Sequence, residues 1–116
     1  MVPAFFKGRD YVILRGVMKK LTGSNRKYLR SIAHELKPLV QVGKSGVSDG
    51  LIGAVNDALD QHELIKCRFV EFKEKKKTLA PEIAKRAGCE QVGMIGHIAI
   101  YYREHSDPEK RKIQIP

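Results

Sequence analysis

Residues 40–50 read "VQVGKSGVSDG" and place a glycine-bounded loop, Gly43-Lys44-Ser45-Gly46, between two elements of different type. Before the loop, the β-branched run 39–42 follows Pro38 and predicts a short buried strand. After the loop, Ser48 is a suitable N-cap for a helix. This order favours an anion at the loop, because the N–H groups of the first helical turn point back toward the two glycines.

The Gly-Lys-Ser order also occurs in nucleotide-binding P-loops, which have the pattern G-x-x-x-x-G-K-[ST]. That pattern requires a glycine five positions before Gly43, where this chain has Pro38. Proline has no N–H and a fixed φ, so it cannot replace a glycine whose backbone wraps phosphates. The P-loop interpretation is therefore disfavoured, and what remains is a loop in which two glycines bracket Lys44 and Ser45 between a strand and a helix.

Composition indicates one globular domain with a polyanionic partner. The 116 residues are 42% hydrophobic, and 22 Lys and Arg against 13 Asp and Glu give a net charge of +9. Nine of the basic residues but only two of the acidic ones fall in residues 1–40, which carry +7. The sequence has neither a long apolar run nor a signal peptide, so a cytoplasmic protein without membrane contact is expected.

Periodicity predicts a compact α/β domain with the order α-β-α-β-α-β-β and a small four-stranded mixed sheet. Thr22 or Ser24 caps the first helix, the second begins after Ser48, and the third has Pro81 in its first turn. The helices are predicted at 22–36, 48–62 and 79–87, and the strands at 39–42, at 64–72 and in two segments of 89–103 hinged at Gly96.

The flanking segments are less regular. Residues 1–17 are predicted to be an N-terminal extension, in which "DYVILRGV" is either a short strand or an extended arm. The cationic run "KEKKK" at 73–77 is predicted to be a solvated connection that could also extend a binding surface. The charged tail, 104–116, is expected to fray.

Basic side chains are predicted on two surfaces. Lys27, Arg30 and His34, with Arg26 beside them, lie opposite the apolar stripe of the first helix. Lys66 and Arg68 alternate with apolar residues and share one face of the second strand. Charged helix faces are often merely solvated, so this feature alone does not distinguish binding from solubility.

Catalysis and metal binding have little support. The four histidines are scattered, Cys67 and Cys89 lack metal-ligand spacing, and no nucleophile motif is present, so neither an enzyme nor a cofactor is predicted. Both cysteines are interpreted as reduced core residues. Aromatic residues make up only 7% of the chain, so base stacking is not expected to dominate recognition.

The stretch "LTGSNRKYLRSIAHELKPLVQVGKSGVSDGLIGAVNDALDQHELIKCRF", followed by "GHIAIYYR", resembles the CRM domain (chloroplast RNA splicing and ribosome maturation) in its stand-alone bacterial YhbY type. The resemblance covers about residues 18–103 and combines three ordered motifs. It implies a fold similar to the C-terminal domain of the third bacterial initiation factor. The loop would then act like the GxxG loop of KH domains, which clamps RNA backbone.

The resemblance implies a non-enzymatic protein that binds ribosomal RNA of the large-subunit precursor and aids its assembly, acting as a monomer. The loop departs from the family pattern at Val47-Ser48, where Leu-Thr is common, and Asp49 would repel a phosphate. The resemblance assigns contacts with the RNA backbone to Gly43, Lys44, Ser45 and Gly46. It assigns flanking phosphate contacts to Arg26, Lys27, Arg30 and Lys37. Further RNA contacts are predicted for His34, Lys66 and Arg68.

Two alternatives remain at this stage. The first is a DNA-binding or nucleoid-type protein that depends on charge alone, and equal affinity for duplex DNA and structured RNA would support it. The second is an adaptor whose sheet face binds a protein of the translation machinery. Partner binding that survives the combined substitutions Lys44→Asp and Arg30→Glu would favour the adaptor.

Overall fold

The structure is a computed structural model that describes residues 11–14 and 17–115. Its elements follow one another as β1 (Tyr11–Leu14), β2 (Val17–Lys20), α1 (Gly23–Ala33), β3 (Val40–Val42), α2 (Asp49–His62), β4 (Leu64–Phe69), α3 (Lys76–Ala87), β5 (Glu90–Ile95) and β6 (Ile98–Tyr102). Short 3₁₀ turns lie at Lys73–Lys75 and Pro108–Lys110.

The central sheet has four strands in the order β3-β4-β6-β5. β3 runs parallel to β4, whereas β4 with β6 and β6 with β5 are antiparallel, which confirms the predicted mixed sheet. β1 and β2 form a separate antiparallel pair, so "DYVILRGV" supplies strand residues, as one of the two alternatives held. The rest of the predicted extension, residues 1–10 and 15–16, lies outside the described residues.

Helices cover both faces of the sheet. α2 and α3 pack on one face over a core that includes Val55, Phe69 and Ile83. On the other face, α1 contributes Leu29 and Ala33 to a smaller core with residues of β4, β5 and β6. β6 is therefore buried on both sides, and Tyr101 and Tyr102 are both fully buried.

Local capping sets the starts of the first two helices. Thr22 and Asn25 form a capping box at α1, with the Asn25 N–H donating to Thr22 Oγ1 at 3.0 Å and the Thr22 N–H donating to Asn25 Oδ1 at 3.1 Å. At α2 the Leu51 N–H donates to Ser48 Oγ at 3.1 Å. Ser48 was predicted as a cap and Thr22 was one of the two predicted alternatives, and both satisfy amides that have no partner within the helix.

Two helix boundaries were predicted wrongly. α1 ends at Ala33 and not at Leu36, because the Leu36 N–H turns back to the Ala33 carbonyl at 2.9 Å. α3 begins at Lys76 and not at 79, so the run 73–77 is a 3₁₀ turn followed by the first helical residues. Pro81 consequently lies inside the helix and not in its first turn, which removes one backbone hydrogen bond.

β4 is also shorter than predicted and ends at Phe69. Beyond it, the N–H groups of Val70 and Glu71 both donate to the carbonyl of Val42, at 3.1 and 3.0 Å. Phe72 then has a left-handed backbone, with φ 57° and ψ 33°. The chain after β4 thus folds back against the end of β3, where the glycine loop begins.

The prediction that the tail frays is wrong for its described part. The buried carboxylate of Glu63 accepts backbone N–H groups of His105, Lys112 and Ile113, at 2.8, 2.5 and 3.0 Å. Ile113 and Ile115 pack against the smaller core. A charged side chain at the end of α2 therefore holds the tail by hydrogen bonds that satisfy it in the interior.

Candidate nucleic-acid interface

The loop Gly43-Lys44-Ser45-Gly46 is a tight turn at the end of β3. The Gly46 N–H donates to the Gly43 carbonyl at 3.0 Å, and Gly46 has φ +66°, a left-handed value that favours glycine. Lys44 and Ser45 occupy the two central positions, and both are exposed. The turn therefore presents a lysine and a hydroxyl to solvent.

The start of α2 is fixed behind this turn. Arg86 of α3 donates from Nη1 to the Val47 carbonyl at 2.8 Å and from Nη2 to Asp49 Oδ1 at 2.7 Å. The ion pair reduces the repulsion that Asp49 alone would exert on a phosphate near the first turn of α2. Arg86 and Asp49 are 37 positions apart, so local sequence patterns could not predict this pairing.

An aromatic side chain supports the other side of the turn. A Cβ atom added at Gly46 would lie 3.3 Å from Cε2 of Phe72. Phe72 itself is 39% exposed, so one part of its ring contacts the loop and another part faces solvent. Glycine is thus required at position 46 by backbone conformation and by a close neighbour.

Four of the predicted basic residues have side chains available to a ligand. Within the described residues, none of the four makes a side-chain hydrogen bond or ion pair, and all are exposed: Lys27, Lys37, Lys44 and Arg68. Lys44 is in the loop, while Arg68 is near the end of β4, one residue before Phe69, which pairs with Val42 of β3. The sheet therefore brings Arg68 to the same end of the domain as the loop.

Three other predicted contacts already have partners within the protein. Arg26 donates to the Gln91 carbonyl at 2.8 Å and forms an ion pair with Glu90, while Arg30 donates to the Val92 carbonyl at 2.9 Å. These bonds attach α1 to β5. Lys66 Nζ donates to the carbonyls of Leu36 at 3.0 Å and His34 at 3.4 Å, and so binds the end of α1. His34 is exposed at that end.

A further basic group, which the site prediction did not include, lies at the loop end of the sheet. The hairpin turn Gly96-His97 joins β5 to β6, and the His97 carbonyl accepts the N–H of Phe69 at 2.7 Å. Lys76 Nζ donates to the Gly96 carbonyl at 2.6 Å and lies 3.0 Å from His97 Nδ1. Partial desolvation and the positive charges of Lys76 and Lys73 lower the pKa of His97.

The arginine of the closing motif "GHIAIYYR" has a structural role. Arg103 Nη1 donates to the Ala87 carbonyl at 2.6 Å and to Asn56 Oδ1 at 2.8 Å, and Nη2 donates to Asp60 Oδ1 at 3.0 Å. One side chain therefore joins the end of α3 to α2. This arginine of the motif therefore contributes to helix packing.

The two cysteines pack within or against the larger core. Cys67 and Cys89 are free thiols, and burial raises the pKa of each to about 12. Among the residues that the structure describes, no group of three His, Cys, Asp or Glu side chains could hold a metal ion. No helix in the same part of the chain is both long enough and apolar enough to span a bilayer.

The fold and this surface define a small α/β domain with a glycine turn between strand and helix and a basic end of the sheet. The model of the CRS1/YhbY (CRM) domain matches residues 21–103, and the chain belongs to this family. It is 37% identical over 97 residues to the Probable RNA-binding protein YqeI of Bacillus subtilis, an alignment that covers 83% of this chain and 99% of that protein.

Two further comparisons agree. A Haemophilus influenzae protein named RNA-binding protein is 34% identical over 100 residues, which cover 85% of this chain and 98% of the relative. The solution structure of the Staphylococcus aureus protein SAV1595, for which RNA binding is proposed, matches with a TM-score of 0.67 and 34% identity. That match covers 80% of this chain and 98% of the other, so the fold is shared over almost the whole of SAV1595.

Proposed function

We propose that this protein binds RNA, and that the loop Gly43-Lys44-Ser45-Gly46 grips the RNA backbone. The observation that carries the proposal is the exposed Lys44 on a glycine turn that is braced on both sides, by Arg86 and by Phe72. Because the turn is already held in one conformation, it loses little conformational entropy when RNA binds, and this favours affinity. The names of the relatives support RNA as the ligand.

Each group at the loop would make a different kind of contact with the RNA backbone. Lys44 supplies a mobile positive charge to one phosphate, and the small glycines allow the backbone to approach closely. The first-turn N–H groups of α2 add the positive end of the helix dipole behind the loop. Arg68, Lys73 and Lys76 extend positive charge along the same end, so phosphates on either side of the gripped one are also attracted.

The predicted contacts on α1 and in the segment that follows it form a second basic surface. Lys27 and Lys37 are exposed there, whereas Arg26 and Arg30 also hold α1 against β5. Charge reversal at Arg30 would therefore change packing as well as RNA affinity. Lys27 and Lys37 are the better positions at which to test this surface, because their side chains have no partner among the described residues.

The finer proposal is that the RNA is ribosomal RNA of the large-subunit precursor, and that the protein aids assembly without catalysis. It is supported by the family to which the chain belongs. The test is sedimentation of cell lysate through a sucrose gradient at low and moderate salt, with detection of the wild type and of Lys44→Asp. Lys110→Asp is the matched control, because it makes the same charge change on the tail.

Migration of the wild type and of Lys110→Asp with free large subunits or their precursors, together with loss of Lys44→Asp from those fractions, is the expected result. If all three proteins remain at the top of the gradient, the ribosomal proposal is wrong. If all three migrate with the particles equally, the particle is bound by another surface and the role of the loop is refuted.

A further inference from the structure

Phe72 combines exposure with an unfavourable backbone. Its φ of 57° lies in the left-handed region, which bulky side chains rarely adopt. Its ring is 39% exposed and contacts the loop at Gly46. Outliers of this kind persist only where the surrounding structure enforces them, and they cluster at binding sites. Here the enforcing contacts are the two N–H groups of Val70 and Glu71 on the Val42 carbonyl.

The chain around Phe72 forms a shallow open depression of about 400 Å³ beside the loop. Its surface offers an aromatic ring, an aliphatic side chain, two carboxylates and two ammonium groups, from Val70, Glu71, Phe72, Lys73, Glu74 and Lys75. Val70 is 44% exposed, so the apolar part of the depression is open to solvent. A surface that combines an aromatic ring and an aliphatic side chain with hydrogen-bond donors and acceptors suits a planar heterocycle better than a phosphate.

We propose that this depression binds an unpaired nucleobase, stacked on Phe72, from the RNA strand whose backbone the loop grips. The inference rests on the proposed function and specifies its ligand as RNA with at least one unstacked nucleotide. The contact between Phe72 and Gly46 places the ring beside the gripped phosphate, within reach of that nucleotide or its neighbour. The low aromatic content of the chain led us to expect little stacking, and one well-placed ring is compatible with that content.

The charges favour a base over a second phosphate. Glu71 and Glu74 would repel a phosphate, yet a carboxylate accepts hydrogen bonds from the amino groups of cytosine, adenine or guanine. Lys73 and Lys75 can donate to base carbonyls or hold the flanking backbone. Backbone gripping and base stacking would therefore be adjacent but separable functions of one surface.

The chain contains no tryptophan, so Phe72→Trp introduces a single fluorophore at the proposed stacking position. The probe is a short single-stranded RNA of mixed sequence, compared with a matched RNA in which the central bases are replaced by abasic sites. The control variant is Gln61→Trp, exposed near the far end of α2, about 20 Å of helix away from the loop.

We expect the base-containing RNA to quench the fluorescence of Phe72→Trp, and the abasic RNA to leave it nearly unchanged. Neither RNA should quench Gln61→Trp. Affinity gives a second readout, in which Phe72→Leu weakens binding of the base-containing RNA by about 5- to 150-fold, the range typical for loss of one stacked base. Phe72→Tyr keeps the ring and should bind as the wild type does, and circular dichroism establishes that each variant is folded.

Equal loss of affinity for both RNAs in Phe72→Leu would overturn the inference, because the ring would then only support the loop. Wild-type affinity in Phe72→Leu, together with weak binding by Lys44→Asp, would also overturn it while leaving the proposed RNA-binding function intact. Wild-type affinity in Lys44→Asp would instead count against the proposed role of the loop, whatever Phe72 does.

Discussion

Replacement of Gly46 by alanine tests the geometry of the loop directly. Gly46 has φ +66°, and a side chain in this left-handed region costs about 1–2 kcal/mol for a residue other than glycine. The new methyl group would also lie 3.3 Å from Phe72 Cε2, so the ring must shift by a few tenths of an ångström. We therefore expect the free energy of unfolding to fall by about 1–2 kcal/mol.

The assay is thermal unfolding followed by far-ultraviolet circular dichroism. For a domain of roughly this size, each kcal/mol corresponds to about 4–8 °C in Tm. Gly43→Ala is the matched control in the same loop, because no heavy atom lies within 4 Å of its added Cβ and its φ is not in the left-handed region. Its Tm should equal that of the wild type.

Gly46→Asn should recover part of the loss, since asparagine tolerates the left-handed conformation better than alanine. The reasoning is refuted if Gly46→Ala unfolds at the wild-type temperature. It is equally refuted if Gly43→Ala is destabilised as much as Gly46→Ala, because the two glycines would then have the same structural role.

Four further predictions concern the rest of the domain. Thr22→Ala removes the cap of α1 and should lower the free energy of unfolding, measured by urea denaturation, by about 0.5–2 kcal/mol. An unchanged urea midpoint would contradict the role of the capping box. Glu63→Ala removes the acceptor of three tail amides, so hydrogen exchange at Lys112 should accelerate while that of core amides in β6 changes less. Burial raises the pKa of Cys67 to about 12, so iodoacetamide at pH 8 should modify this thiol slowly until urea unfolds the chain. Rapid labelling of Cys67 in the native protein would refute its burial. The pKa of His97 is lower in the folded state than its ordinary value of 6.5, so the unfolded chain binds more protons than the folded protein at acidic pH. The free energy of unfolding should therefore decline as pH falls through 6.5, and His97→Gln should flatten that dependence.

Local chemistry made much of the fold predictable. A hydroxyl before an apolar helical repeat identified the starts of α1 and α2, because the cap and the amides it satisfies lie within three residues of each other. Alternation identified the buried positions of β4, and the glycine at 96 identified the hairpin between β5 and β6. In each case the residues that determine the structure are neighbours in the sequence.

The remaining features depend on partners that are distant in the sequence. Arg26 was predicted to face solvent, but its guanidinium bonds to Gln91, 65 positions away. The tail was predicted to fray because it is charged. Nothing in the sequence around Glu63 indicated that its carboxylate would be buried and would accept hydrogen bonds from amides up to 50 positions later. A charged residue has the same sequence signature whether it is solvated or satisfied by a remote backbone group.

The candidate site shows the same division. Gly43, Lys44 and Gly46 were predicted from the resemblance to the CRM family, whose three ordered motifs lie in the sequence itself. Phe72 was not recognised as part of the site, because its position depends on hydrogen bonds from Val70 and Glu71 to the end of a different strand. The signal that was available, an aromatic residue next to a run of lysines, is common in strands that have no binding role.

The central claim is that Lys44 contacts an RNA phosphate, and the most direct measurement is RNA affinity as a function of salt concentration. Wild type, Lys44→Asp and the control Lys110→Asp are titrated with one structured RNA containing a single-stranded loop, with duplex DNA as competitor. We expect Lys44→Asp to lose about 1–3 kcal/mol of binding free energy and its salt slope to decrease by about one unit, while Lys110→Asp binds as the wild type does. Equal affinities and salt slopes for Lys44→Asp and Lys110→Asp would contradict the claim.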